Sequence, residues 1–72
     1  MEARSLLSDR EVEILRLLVN SAASDKEIAQ SLGIAAQTVK AHLRAMRRKL
    51  HLGNRVQVAV WGVQNGFKER SE

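Results

Sequence analysis

The 72-residue sequence has no cysteine, no proline, one tryptophan and one phenylalanine. Without cysteine there is no disulfide and no thiolate metal site, which fits a reducing compartment. Without proline, no helix interior is broken by a missing N–H. No apolar run approaches the roughly 18 residues that a membrane-spanning helix needs. The opening "MEARS" lacks the apolar core of a signal peptide, so the chain reads as soluble and cytoplasmic. Acidic charge is missing as well, over a long stretch. None of the eight acids lies between Ile28 and Phe67. Those forty residues hold six cations: Lys40, Arg44, Arg47, Arg48, Lys49 and Arg55. So one-sided a field favours polyanionic partners, with nucleic acid first and an acidic membrane surface or acidic protein second.

What is present is helical punctuation. A chain this short forms one domain at most and buries only about 60% of its unfolded surface. Ser8 precedes Glu11 by three residues, ahead of the apolar run Val12, Ile14, Leu15, Leu18 and Val19. That spacing is a capping box, in which hydroxyl and carboxylate each take up a free backbone N–H. It predicts a first helix over about Asp9 to Val19, with "NSAA" as the connection. Ser24 and Glu27 repeat the box and predict a second helix over 25–32, stopped by Gly33. Val39, Leu43, Met46 and Leu50 then mark one buried stripe of a third helix over about 36–50. Asn54, with Gln57 in the reciprocal position, caps a fourth over about 55–65. Within it "VQVAV" alternates like a short strand, but the cap and the helical context favour helix.

"LGI" joins the second and third helices as a three-residue turn containing glycine, the mark of a helix-turn-helix. Gly33 supplies the left-handed residue, Ile34 an apolar plug between the helices, and Ala29 a small residue where they cross. The expected fold class is therefore all-α, a four-helix helix-turn-helix domain. Residues 7–67 form the domain, 1–6 a polar lead-in or linker, and 68–72 a polar tail.

"LSDREVEILRLL", "KEIAQSLGIAAQTVKAHLRAMRRKL" and "NRVQVAV" resemble the LuxR-type helix-turn-helix domain. The "TVKAH" stretch in register is the specific part, and "RVQVAVWGV" is most similar to the NarL/FixJ response-regulator branch. The resemblance implies sequence-specific binding to double-stranded DNA as the output domain of a bacterial transcription regulator of the two-component type. It also implies a contact with RNA polymerase, and either an excised output domain whose receiver or sensor domain lies on the N-terminal side or a natural stand-alone protein. Three departures stand out. Ala35 replaces the usual hydroxyl cap of the third helix. The first connection is a residue longer and lacks its glycine. His51 replaces a frequent glycine after the third helix.

Carried onto this sequence, the resemblance assigns base contacts to Gln37, Lys40, Ala41 and Arg44, one face of the third helix. It assigns phosphate contacts to Lys26, Thr38, His42, Arg47, Arg48, Lys49 and Arg55. His42 reads equally as a half-buried side chain, and Arg47 and Arg48 as solubilising charge. On the fourth helix Val58, Trp61, Gly62 and Asn65 share one face, and Val56, Val60 and Val63 another. A helix turns only one side to its own core, so the valine stripe is left for a partner; the resemblance to the NarL/FixJ branch implies that this is a homodimer contact made on DNA. No cofactor or metal is expected, since the two histidines lie nine residues apart with no carboxylate nearby in sequence. No nucleophile, base and orienting acid can be assembled, so the chain does not read as an enzyme. Two rivals remain: a sigma-factor region 4-like module for promoter and polymerase, and a basic protein-interaction domain.

Overall fold

The computed structural model of the protein describes residues 6–69. Residues 1–5 of the expected lead-in and 70–72 of the expected tail lie outside them. Among the described residues the chain forms four helices and no strand: α1 (Asp9–Ser21), α2 (Asp25–Leu32), α3 (Ala36–Leu50) and α4 (Arg55–Gln64).

Both capping boxes are complete. Ser8 Oγ accepts from the Glu11 N–H at 3.2 Å, and Glu11 Oε1 accepts from the Ser8 N–H at 2.8 Å. Ser24 and Glu27 exchange the same bonds at 3.2 and 2.9 Å. At α4, Asn54 Oδ1 accepts from the Gln57 N–H at 2.9 Å. The return bond differs from the expected reciprocal one: Gln57 Oε1 accepts from the Gly53 N–H at 2.5 Å. Ala35 opens α3 with no side-chain cap, as its missing hydroxyl dictates. "VQVAV" lies wholly within α4.

The first helix runs two residues past Val19. Asn20 is the reason, because its side chain has helical and tertiary partners at once. Its amide nitrogen donates to the carbonyls of Arg16 and Phe67, both at 3.0 Å, and its oxygen accepts from the Glu69 N–H at 2.6 Å. A residue expected in a connection thus ties the end of the chain to α1. The helix then stops at Ala22, which takes the left-handed conformation with φ 49°. Gly33 ends α2 with φ 67°, and the Gly33 and Ile34 N–H groups both reach the Ala29 carbonyl. His51 ends α3 with φ 57°.

Ile14, Leu15, Ile28, Val39, Met46 and Val58 are fully buried at the centre, with at least one contributed by every helix. The principal pairings are α1 with α4 and α2 with α3. The first is close because of Gly62. A Cβ there would lie 2.6 Å from Val19 Cγ2 and 2.9 Å from Leu15 Cδ1. Beyond α4, buried Phe67 folds back and stacks on half-buried Trp61 with ring centroids 5.8 Å apart.

Left-handed backbone costs a residue with a Cβ about 1–2 kcal/mol, partly offset when glycine raises the entropy of the unfolded chain. Ala22→Gly and His51→Gly are each expected to stabilise the domain by about 0.5–1 kcal/mol, a rise of a few degrees in Tm. Thermal unfolding followed by circular dichroism checks this, and an unchanged Tm would mean that neither position is strained.

Candidate nucleic-acid interface

The third helix divides lengthwise. Val39, Leu43 and Met46 are buried, while Gln37, Lys40, Ala41 and Arg44 are exposed together on another side. Thr38 is exposed in the first turn, where its N–H donates to the Ala35 carbonyl at 3.0 Å. His42 and Arg47 are half-buried, and Arg48 is exposed. Lys26 is exposed on the first turn of α2. Four of the six cations in the acid-free stretch, Lys40, Arg44, Arg47 and Arg48, form no ion pair among the described residues.

Lys49 and Arg55 are different, since each has a carboxylate partner from an earlier helix. Lys49 Nζ donates to Glu11 Oε1 at 2.6 Å. Arg55, the first residue of α4, donates from Nη1 to Asp25 Oδ1 and from Nη2 to the Ala23 carbonyl at 2.5 Å. Lys40, Arg44 and Arg47 lie at helical spacing along α3 and line an open cleft of about 270 Å³ with Asp25, Leu43, Arg55 and Val58. The exposed face of α3 and the start of α4 thus meet in one basic hollow with a single acid among the described residues. Lys49 lies outside the hollow lining, tied to the start of α1.

Glu11 is the only charged residue in the core among those described, at 3% exposure. Burial pushes its carboxyl up, but the Lys49 ammonium and the Ser8 N–H and hydroxyl outweigh this and hold it below its ordinary value. Exposed Glu27 is also lowered, through its bonds to Ser24. Sequence spacing shows both glutamates as caps. It does not show the partners of Glu11 and Asp25, which lie 38 and 30 residues along the chain.

The valines of α4 complete the surface. Val56, Val60 and Val63 are 70%, 49% and 52% exposed, whereas Val58 and Gly62 are buried. Among the described residues no cluster of histidine, aspartate or glutamate could hold a metal ion, and no helix is long and apolar enough to cross a membrane.

A two-helix unit with a left-handed glycine turn and a basic, acid-free second helix is a helix-turn-helix. Residues 5–62 match the family described as "Bacterial regulatory proteins, luxR family". The chain belongs to the LuxR family. It carries that family's helix-turn-helix DNA-binding domain, which is a regulator domain and not an enzyme family. The nitrate/nitrite response regulator protein NarP of Escherichia coli (strain K12) is 40% identical over 60 residues, 83% of this chain and 27% of that protein. The CsgBAC operon transcriptional regulatory protein of the same strain is 44% identical over 61 residues, 85% of this chain and 28% of that protein. The chain therefore spans about a quarter of the length of these LuxR-family relatives. A solved structure of the transcription factor GerE has a TM-score of 0.80 at 36% identity, covering 92% of this chain and 97% of that one.

The Glu11–Lys49 link sets a pH dependence for this LuxR-family domain. A carboxyl whose pKa falls on folding stabilises the fold fully above its ordinary value of 4.5, and the contribution is lost as pH falls through the folded value. Glu11→Gln is expected to cost about 1–2 kcal/mol at neutral pH, discounted because Lys49 is part-exposed, and to flatten the loss of stability below about pH 5. Urea unfolding at several pH values measures both, and an unaltered acid limb would remove Glu11 as its source.

Proposed function

We propose that this domain reads double-stranded DNA in a sequence-specific way as the output domain of a bacterial two-component response regulator. It binds as a homodimer on paired half-sites. The observation that supports this best is the exposed face of α3, where Gln37, Lys40, Ala41 and Arg44 stand side by side with no acid between Ile28 and Phe67. In a helix-turn-helix that face enters the major groove. Lysine and arginine pair there with guanine O6 and N7, glutamine with adenine, and an alanine methyl meets the thymine methyl.

Phosphate contacts hold the helix in place. In this proposal they come from Lys26, Thr38, His42, Arg47 and Arg48 directly. Lys49 and Arg55 join them on leaving Glu11 and Asp25. Exposed Val56, Val60 and Val63 form the two-fold contact between two copies on DNA. Residues 7–67 constitute the DNA-binding unit. A receiver or sensor domain precedes it in the full regulator, as the span of this chain on NarP and its name as a response regulator suggest. RNA polymerase is a further partner, and the cytoplasm is the place of action.

The test is selection from a random duplex pool at moderate salt, followed by sequencing. Enrichment of two related half-sites at a fixed spacing is expected. Binding without enrichment would reduce the domain to a basic surface. In the same selection Val60→Glu is expected to leave the fold intact and enrich single half-sites; unchanged paired sites would take α4 out of the dimer.

Lys40→Ala is expected to lose about 1–3 kcal/mol on the selected duplex and to flatten the preference among bases. Equal weakening on selected and random duplexes would show Lys40 to be a phosphate contact instead.

A further inference from the structure

Among the described residues Asp25 is the one acid lining the cleft, beside Lys40, Arg44, Arg47 and Arg55. Its position needs a reason beyond capping. The start of α2 is already closed by the reciprocal Ser24–Glu27 bonds. Asp9, the corresponding residue of α1, lies exposed. Asp25 instead holds the guanidinium of Arg55, which also reaches the Ala23 carbonyl. A guanidinium bonded in this way is a neutralised cation, and the carboxylate beside it repels any phosphate that approaches.

We infer that Asp25 restrains sequence-independent DNA binding by holding Arg55 off the phosphate backbone, so that Arg55 is a latent phosphate ligand. This rests on the DNA-binding reading above. Sequence-independent affinity comes almost wholly from phosphate contacts, each of which releases counterions. Arg55 leaves Asp25 only in the fitted complex on a selected site, so withholding it lowers affinity for random DNA and not for that site. The genome offers a vast excess of wrong sites, so lowering that background raises effective discrimination. Asp25 thus belongs to the specificity machinery without touching a base.

The experiment measures binding of the domain to a random-sequence duplex across a salt series, with thermal unfolding of each variant alongside. Asp25→Asn is expected to tighten random-duplex binding about three- to tenfold at low salt and to steepen the log–log salt slope by about 0.9, one further phosphate. Asp25→Glu keeps the charge and should stay near wild type. Adding Arg55→Gln to Asp25→Asn should abolish the gain. Arg55→Gln alone leaves the carboxylate unpaired in the cleft and should weaken binding, which tests the pair even if Asp25→Asn does not fold. A folded Asp25→Asn domain with unchanged or weaker random-duplex binding would make the pair a clasp between α2 and α4 and overturn the inference. A gain that survives Arg55→Gln would overturn the role of Arg55. Wild-type domain that binds no duplex even at low salt would instead overturn the DNA-binding reading itself, and the restraint with it.

Discussion

One carboxylate, the only charged group buried among the described residues, joins α1 to α3. Glu11 caps α1 through Ser8 and receives the Lys49 ammonium from the last turn of α3. A buried charge is tolerated only when it is paired and hydrogen-bonded, and here Oε1 accepts from both the Ser8 N–H and the Lys49 ammonium. The bond fixes the far end of α3 to the frame. The near end is fixed differently, by the Gly33 turn and the buried side chains Ala29 and Val39. The exposed face between them is thus set by constraints at both ends, neither of which consumes a side chain of that face.

The charge pattern follows from this arrangement. Acids belong to α1, α2 and the two ends of the chain, while cations crowd α3. Folding brings two acids back across the chain, onto the end of α3 and the start of α4. The middle of α3 receives none. Segregation along the sequence becomes a polarised surface because neither returning acid forms an ion pair with a cation in the middle of α3. That same return leaves Asp25 as the one negative group within the cleft.

Much of the fold was legible in the residues, because its punctuation is local. Ser8, Ser24, Gly33 and Asn54 act within four residues of themselves, and spacing shows them. The boundaries of α2 were plain for that reason, as was the division of α4 into a Val58 and Gly62 side and an exposed valine side. What was hidden depends on distant partners. Asn20 looks like a loop residue until Phe67 and Glu69 arrive beside it. The Lys49 and Arg55 cations look free until Glu11 and Asp25 reach them. Ala22 and His51 show the complementary failure: a left-handed stop was needed at both places, and neither carries the glycine that announces one.

Gly62 has a consequence for how this domain can diverge. With two side chains of α1 closer than a methyl group allows, position 62 admits no other residue without a shift in packing. The opposite flank of α4 carries Val56, Val60 and Val63, which lie outside the core. One helix therefore joins an inflexible inner side to a permissive outer one, where surface substitutions change stability by only about 0.5 kcal/mol or less. Single changes on the outer side can therefore alter the surface that α4 presents, while the spacing between α4 and α1 stays set by Gly62.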